Sequence, residues 1–313
     1  MNAPLIALTG ATGFIGRHLL NELPRRGYRV RVLLRRPSEV PAGASSAVIG
    51  DIASPHNMAA ALRDVDIVIH SAGLAHAMSG RPEDDYRTIN TDATVRLAQA
   101  AERAGVKRFV FLSSIRAQTG PVADGVVTED REPQPTDPYG RSKLEAERGL
   151  GALGLDWTAL RPVLVYGPGV KGNMAALLSL AQSPWPLPLG GLTARRSLLS
   201  LDNLAAAVDT VARAPGPLRR PFIVADPDPV TIPEMVTALR KGLGRGPGLV
   251  PVPSFLLRGA AALAGRREAY ERLAGSLVAS PQALRDLGWQ PVSSTRDALA
   301  ELARRAGAPA SGA

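Results

Sequence analysis

The 313-residue sequence contains no cysteine, which excludes disulfide bonds, thiolate metal sites, iron–sulfur clusters and a cysteine nucleophile. Aromatic residues make up only 4% of the chain, and only four of its 37 basic residues are lysines. No apolar run approaches the roughly 18 residues that a membrane-spanning helix requires. No basic segment precedes the first apolar run at residues 5–8, so we expect no signal peptide. Together these absences predict a cytoplasmic protein.

The net charge of +9 comes mainly from arginines that occur in scattered pairs. Proteins that bind nucleic acid usually cluster their basic residues and place aromatic side chains between them. Neither pattern occurs, so we expect no nucleic-acid partner, and affinity for an anionic small molecule such as a nucleotide fits better. The four histidines are too scattered to indicate a metal site, and we expect His18 and His70 to make only local hydrogen bonds.

Short apolar segments alternate with helical patterns through the first half of the chain. Strands are predicted at 5–9, 29–34, 65–69 and 107–112, and helices at 14–26 and 84–104. Strand–helix alternation with short connections is typical of a parallel sheet that is covered by helices on both faces. Because crossover connections are right-handed, we predict the α/β class with a doubly wound parallel sheet.

Proline and glycine accumulate after about residue 165, and the predicted helices become shorter. They lie at 173–182, 202–213, 233–243, 254–264 and 295–305, with a further strand at 222–225. We predict a nucleotide-binding domain over 1–165, to which some later segments return, a smaller α/β substrate lobe over 166–306, and a disordered tail over 307–313. The arginine-containing stretch 254–272 suits either a membrane-surface helix or a packed lobe helix; the second is more economical, so no membrane partner is expected.

Three glycines occupy the turn between the first strand and the first helix, in the order Gly-x-x-Gly-x-x-Gly. Gly10, Gly13 and Gly16 allow a tight bend, close approach of the backbone to a pyrophosphate, and close packing of the helix on the strand. The N–H groups at the helix start, near Phe14 and Ile15, favour phosphate binding. The turn therefore predicts a dinucleotide site.

The type of dinucleotide depends on the end of the second strand. An acidic residue there would bind the ribose 2′-hydroxyl of NAD, whereas arginine accommodates the 2′-phosphate of NADP. Arg35 and Arg36 stand at this place, and no carboxylate precedes Glu39. The sequence thus favours NADP(H) over NAD(H). The alternative is that both arginines are simply solvated, because arginine pairs recur along the chain.

A tyrosine and a lysine four residues apart begin a predicted helix after several prolines. Tyr139 and Lys143 therefore share one helix face. A free tyrosine titrates near 10, but a nearby ammonium and a nicotinamide cation would favour its phenolate. Ser114 closes the predicted strand 109–114, whose carboxyl end would face the cofactor crevice, so its hydroxyl can bind a substrate oxygen. The three side chains predict acid–base chemistry beside a nicotinamide.

These motifs resemble the extended short-chain dehydrogenase/reductase family, the NAD(P)-dependent epimerase/dehydratase group that acts on nucleotide sugars. The resemblance covers roughly residues 5–305 and includes the glycine turn, Ser113-Ser114, the 139–143 motif and the 161–169 segment. It implies a Rossmann-type fold with Ser114, Tyr139 and Lys143 as the catalytic triad. The resemblance also implies that Asp51 and Ile52 flank the adenine and that Ala72 and Gly73 line the cofactor cleft. Asn90 is expected to position the active site, and the segment from Pro162 to Val165 is expected to lie against the nicotinamide.

By the same resemblance, the second lobe binds the diphosphate of a nucleotide sugar, a UDP-hexose above all. Asn173 and Arg196 match the diphosphate positions, and Arg272 is a further candidate. A homodimer through helices 84–104 and 138–150 is also implied. Epimerase and 4-keto-sugar reductase both remain open, because the same triad serves both and the arginines after the second strand favour NADP. The sequence also suits an NADPH-dependent reductase of a non-nucleotide carbonyl compound, or a non-catalytic cofactor-binding scaffold or sensor.

Overall fold

A computed structural model of the chain describes residues 3–75, 81–263, 265, 270 and 274–307. Its strands are β1 (Leu5–Thr9), β2 (Arg29–Leu34), β3 (Ser45–Val48), β4 (Ile67–His70), β5 (Arg108–Leu112), β6 (Val126–Val127), β7 (Trp157–Pro162), β8 (Leu164–Tyr166), β9 (Arg195–Arg196), β10 (Leu198–Ser200), β11 (Arg220–Val224), β12 (Val230–Thr231) and β13 (Val278–Ala279).

The main sheet is parallel and, within the described residues, has the strand order β11-β7-β5-β4-β1-β2-β3. The chain builds outward from β1 to β2 and β3, and then continues on the other side with β4. The order therefore reverses between β1 and β4, where a crevice opens at the carboxyl ends of the strands. The predicted doubly wound parallel sheet is confirmed.

The helices connect these strands and form most of the lobe. They are α1 (Phe14–Arg25), α2 (Met58–Ala61), α3 (Glu83–Tyr86), a π-helix (Arg87–Asp92), α4 (Ala93–Arg103), a 3₁₀ turn (Ile115–Ala117), α5 (Pro138–Gly151), α6 (Asn173–Gln182), α7 (Leu201–Arg213), α8 (Ile232–Gly242), α9 (Ser254–Leu263), α10 (Gln282–Asp286) and α11 (Thr295–Gly307). In the part of the chain that the structure describes, no helix has both the length and the apolar character needed to cross a membrane.

Two apolar layers cover the faces of the main sheet, and the alternation of side chains along β1 shows how. Ile6 and Leu8 belong to the layer that contains α1 and α7, whereas Leu5 and Ala7 belong to the layer that contains α4 and α5. Each strand of a parallel sheet is buried on both faces, so nearly continuous apolar strands are required. This double cover fixes the strand ends that carry the site.

The lobe packs around smaller apolar clusters. Helices α8 and α11 pack closely because Gly242 lies against the backbone of Ala300, where a Cβ would overlap. Met235 and Leu239 of α8 meet Leu299 of α11 in this cluster. Three small two-stranded sheets, β8 with β10, β9 with β12 and β6 with β13, complete the arrangement within the described residues.

The structure differs from the sequence analysis in several elements. Strands β3 and β7 were not predicted, because β3 is half exposed and the apolar run of β7 is interrupted by the buried polar residues Thr158 and Arg161. The predicted helix 84–104 is divided into α3, a π-helical segment and α4. The main sheet also takes its last strand, β11, from beyond residue 165. Of the predicted disordered tail 307–313, Gly307 instead ends α11, and residues 308–313 lie outside the described residues.

Candidate active site

The glycine turn after β1 packs against the loop after β4. Gly10 has a φ of +71°, and a Cβ there would lie 2.6 Å from the amide nitrogen of Ala72. A Cβ on Gly16 would overlap the carbonyl oxygen of Gly10. Only glycine therefore allows this turn to bend so sharply while α1 starts directly beside it.

The start of α1 is suited to a phosphate group. Gly13 precedes Phe14 and supplies no capping side chain, and the first turn of the helix contains no acidic residue. The first N–H groups of a helix carry partial positive charge, and an acidic side chain at this place would repel an anion. The residues present, from Gly10 to Ile15, thus fit the pyrophosphate of a dinucleotide.

The end of β2 presents an exposed arginine pair to solvent. The guanidinium of Arg35 lies 3.2 Å from the carboxylate of Asp51, and both side chains are exposed, as is Arg36. Ile52 beside them is half-buried. Arg35 is thus solvent-exposed and lies next to the carboxylate that was expected near the adenine. The preference for NADP(H) stays a prediction.

The loop after β4 forms the opposite side of the crevice and reaches the lysine of the predicted triad. A Cβ on Gly73 would lie 2.7 Å from Oδ1 of Asn90 and 3.4 Å from Nζ of Lys143. Buried Asn90, in the π-helix, accepts a hydrogen bond from the amide of Leu74 at 2.8 Å and donates one to Oγ of Ser142 at 3.1 Å. Asn90 thus joins this loop to α5 between Tyr139 and Lys143.

A buried histidine lies below this loop. Thr94 donates its hydroxyl proton to the carbonyl of Asn90 at 2.7 Å, so it accepts from Nε2–H of His70 at 2.9 Å. Nδ1 of His70 then accepts from the hydroxyl of Thr9 at 2.7 Å. Burial, with the charge of Lys143, lowers the pKa of His70 to about 3, so the ring is neutral. Hydrogen bonding within the fold was expected for this residue, and it connects β1, β4 and α4.

The three predicted catalytic side chains lie at the end of β5 and the start of α5. Ser114 follows β5 and precedes the 3₁₀ turn, and its hydroxyl is hydrogen-bonded to Tyr139. Nζ of Lys143 donates to the carbonyl of Leu112 at 2.9 Å and lies 6.0 Å from the centre of the Tyr139 ring. The structure therefore brings the hydroxyl, the phenol and the ammonium together beside the crevice.

The environment sets the protonation of this group. Burial raises the pKa of the Tyr139 phenol, while the hydrogen bond from Ser114 opposes that rise. Burial also lowers the pKa of Lys143 to about 8, against the effect of the Glu147 carboxylate. At neutral pH, Tyr139 is a neutral phenol and Lys143 is mostly an ammonium. A phenol beside an ammonium can donate or accept a proton at a substrate oxygen.

Close packing at the start of α5 positions Tyr139 against Ser114. Asp137 caps this helix by accepting from the amide of Gly140 at 2.7 Å, and it is paired with Arg116. A Cβ on Gly140 would overlap the carbonyl oxygen of Arg116. The glycine therefore lets the turn after Ser114 approach the helix. Sequence reasoning missed Gly140, although its place directly after the tyrosine could have indicated a close contact.

A buried ion pair supports the same helix one turn further on. The guanidinium of Arg161 in β7 binds the carboxylate of Glu147 in α5, and both residues are almost fully buried. Ser113 also donates to Glu147, and Arg161 donates to Gln118. None of these side chains has a role predicted from the sequence. They fix the end of β5, the end of β7 and α5 relative to one another.

Replacing Glu147 with glutamine is expected to change the pH dependence of the reaction as well as stability. The carboxylate raises the pKa of Lys143, so its loss would lower that pKa and move the basic limb of the activity profile to lower pH. Breaking a buried pair would also lower the free energy of unfolding by about 3–5 kcal/mol. The measurements are kcat against pH and urea unfolding. Glu145 of the same helix is exposed, so Glu145→Gln is the control variant. A basic limb of the kcat–pH profile that does not move in Glu147→Gln would contradict the prediction.

The remaining predicted residues lie around and beyond the crevice. Pro162 ends β7 and is buried, and Val165 in β8 packs against the larger apolar layer. Asn173 is exposed at the first position of α6, directly after Gly172. Arg196 in β9 is half-buried, and burial lowers its pKa. Arg272 lies outside the described residues, and the substrate roles of these positions stay predictions.

This chain is similar in sequence to a family model and to several proteins of known activity. The model of the NAD-dependent epimerase/dehydratase family matches residues 6–224, which run from β1 to the end of β11. The UDP-glucose 4-epimerase of Vibrio cholerae is 35% identical over 311 residues, covering 96% of this chain and 94% of that protein. A 3 beta-hydroxysteroid dehydrogenase/Delta 5-->4-isomerase of Mycobacterium tuberculosis is 29% identical over 330 residues, covering 95% of this chain and 88% of that protein.

A solved structure resembles this chain in both sequence and fold. The structure of MoeE5 in complex with UDP-glucose and NAD is 29% identical and superposes with a TM-score of 0.71. The match covers 96% of this chain and 99% of that one. The similarity therefore extends through both the main sheet and the lobe.

Proposed function

This chain belongs to the NAD-dependent epimerase/dehydratase family and is an enzyme of the oxidoreductase or isomerase type, and we propose that its substrate is a nucleotide sugar. The expected reaction is hydride transfer at a sugar carbon, with C4 of a UDP-hexose as the first candidate. One observation supports this proposal most: the hydroxyl of Ser114, the phenol of Tyr139 and the ammonium of Lys143 lie together beside the loop that packs against the glycine turn.

The residues around the turn would hold the cofactor. The backbone from Gly10 to Gly16 would bind the pyrophosphate, and the loop at Ala72 and Gly73 would lie along it. When bound, the nicotinamide cofactor supplies the hydride acceptor and donor. Pro162 and Val165 would exclude water from the reacting side of the crevice.

The proton moves through Tyr139. In the oxidative direction the phenolate of Tyr139 takes the proton from the sugar hydroxyl, and in the reductive direction the phenol returns it to the carbonyl oxygen. The Lys143 ammonium lies near the ring and favours the phenolate, which burial disfavours. Ser114 binds the same substrate oxygen and keeps it within reach of Tyr139.

The diphosphate of the substrate would bind in the lobe, to Asn173 and Arg196. UDP-glucose is bound in the MoeE5 structure, and the Vibrio cholerae relative is a UDP-glucose 4-epimerase. A half-buried arginine is suited to a diphosphate because it can donate two parallel hydrogen bonds to one anion.

Replacing Arg196 with alanine is expected to raise KM for the UDP-sugar about tenfold or more, because one charge-assisted contact to the diphosphate is lost. The kcat should change much less. Neighbouring Arg195 is exposed and donates to the carbonyl of Pro229, so Arg195→Ala is the matched control. Equal KM values for the two variants would remove Arg196 from the diphosphate site.

We also propose that the enzyme prefers NADP(H), with Arg35 and Arg36 beside the 2′-phosphate. The double variant Arg35→Ala/Arg36→Ala is expected to weaken NADP(H) binding about tenfold or more and to leave NAD(H) binding nearly unchanged. Titration of both cofactors by fluorescence measures this. Arg25→Ala, which removes an exposed arginine paired with Glu22 on α1, is the control. Equal loss for both cofactors would show that the 2′-phosphate is not bound here.

A substrate panel separates the two forms of the reaction. The protein is incubated with UDP-hexoses and their 4-keto derivatives, with and without NADPH, while absorbance at 340 nm and product identity are followed. Internal redox, which gives an epimer without net cofactor consumption, supports an epimerase. Stoichiometric loss of NADPH with a 4-keto sugar supports a reductase.

A second candidate is a reductase of a non-nucleotide carbonyl compound. The steroid dehydrogenase relative, which matches this chain over 95% of its length, favours it. Such an enzyme would use Ser114, Tyr139 and Lys143 in the same roles and would not need Arg196. Turnover of a hydrophobic ketone that is insensitive to Arg196→Ala, without turnover of any UDP-sugar, would favour this candidate.

A further inference from the structure

Helix α9 leaves a large apolar face exposed. At 100° per residue, Phe255, Leu256, Gly259 and Leu263 fall in one sector of about 100°. Phe255 is 70% exposed, Leu256 53% and Leu263 93%. Leu257 points to the other side of the helix, where it packs against the apolar cluster of the lobe. The helix is thus packed on one side, as the sequence analysis expected, while its other side carries large apolar side chains into solvent.

Two segments that pack with α9 in the same apolar cluster carry further exposed apolar side chains. Val250, four residues before α9, pairs through its amide with the carbonyl of Leu187 at 2.9 Å, and Trp185 lies two residues before Leu187. Trp185 is 75% exposed and Val250 is 45% exposed. We call Trp185, Val250, Phe255, Leu256 and Leu263 the α9 apolar surface.

A buried arginine holds the segments behind this surface. Arg240 of α8 donates to the carbonyls of Ser183 and Trp185 on one side, and to those of Pro247 and Gly248 on the other. Because its guanidinium is buried and bound to four carbonyls, it fixes the loop that carries Trp185 against the strand-like segment before α9. The outward position of Trp185 therefore follows from the fold.

Helix α9 and the segment before it carry basic residues and no acidic residue. From residue 235 to 263 the sequence contains four basic residues and no acidic residue. Arg240 is buried, but Lys241, Arg245 and Arg258 are exposed. Arg245 also donates to the carbonyl of Gln182, close to Trp185 in the chain. Aromatic and leucine side chains flanked by cations are typical of segments that lie in the interface of an anionic membrane.

We propose that the α9 apolar surface docks the enzyme on an anionic membrane, with Phe255, Leu256 and Leu263 entering the acyl boundary and Arg245 and Arg258 facing the lipid phosphates. A second copy of the chain is a poorer occupant, because it would bring an identical basic segment and a net charge of +9 against the first. This mode of binding needs no membrane-spanning helix, goes beyond the proposed reaction, and replaces the expectation from the sequence that the chain has no membrane partner.

The test uses the full chain and vesicles of phosphatidylcholine, with or without anionic phosphatidylglycerol, and no substrate. The protein is expected to sediment with the anionic vesicles and to leave them at high salt. The Trp185 emission should shift to the blue on binding, because Trp157 and Trp289 are already buried. The variant Phe255→Ser/Leu256→Ser is expected to bind the anionic vesicles at least about tenfold more weakly than the parent protein does.

Two further variants keep the test decisive. Val122→Ser/Val292→Ser replaces two exposed apolar residues elsewhere and should bind vesicles as the parent does. Arg258→Glu should weaken binding to anionic vesicles only. Thermal unfolding checks that each variant is folded. Equal binding of the α9 variant and its parent, absence of binding to anionic vesicles, or a parent dimer that the α9 variant dissociates without any vesicle binding would each overturn the proposal.

Discussion

Replacing Tyr139 with phenylalanine is expected to lower kcat about 100-fold to 10,000-fold, the usual range for loss of a general acid–base group. The substitution keeps the ring, which packs edge-on against Tyr86 at 6.3 Å between centroids, and removes only the hydroxyl that is bonded to Ser114. Cofactor affinity should therefore stay nearly unchanged. Steady-state kinetics on the substrate identified by the panel, together with cofactor titration, measure both quantities.

Tyr28→Phe is the matched control for this variant. The hydroxyl of Tyr28 donates to Asp209 at 2.7 Å, so its loss also removes one side-chain hydrogen bond from a tyrosine, but outside the crevice. Turnover should survive in this control. Retained turnover in Tyr139→Phe would mean that another group moves the proton, and the proposed mechanism would have to be abandoned.

Replacing Gly140 with alanine is the second change with a large expected effect. The added methyl would overlap the Arg116 carbonyl, so the turn that follows Ser114 and the start of α5 must move apart. A displacement of about 1 Å in a positioning contact can reduce the rate about 100-fold. We expect kcat to fall by about that factor, while the main sheet and the glycine turn still bind cofactor.

Gly151→Ala tests whether this effect belongs to the contact or to the helix. Gly151 ends the same helix, and a Cβ there would meet its nearest neighbour, the Trp157 ring, at an ordinary 3.7 Å. Alanine favours helix over glycine by up to about 1 kcal/mol, so this control should be active and at least as stable as the parent. An active Gly140→Ala enzyme would show that close approach of the turn is unnecessary.

The fold and the grouping of Ser114, Tyr139 and Lys143 could be predicted because their signals are local. The apolar strand, the three glycines and the first helix follow one another directly, and Tyr139 and Lys143 are one helical turn apart. A parallel sheet then brings strand ends to one edge, so Ser114 could be placed without coordinates. These are the parts in which neighbouring residues determine the geometry.

The supporting residues could not be predicted, because their contacts join distant parts of the chain. Glu147 and Arg161 bind across the packing of α5 on β7, and each alone is an ordinary charged residue in the sequence. His70 is similar: its ring is hydrogen-bonded to Thr9 and Thr94, which come from two other elements. The exposure of Phe255 and Leu263 also depends on which side of α9 packs against the lobe.

The place of β11 in the main sheet has a consequence for synthesis of the chain. When the first 165 residues have left the ribosome, six of the seven strands are available, but β7 still has one unpaired edge because its partner begins at Arg220. α7, which covers part of one sheet face, is not complete before Arg213. The edge of β7 therefore stays unpaired, and open to pairing with another chain, until some sixty further residues have emerged. Synthesis adds about 5–20 residues per second.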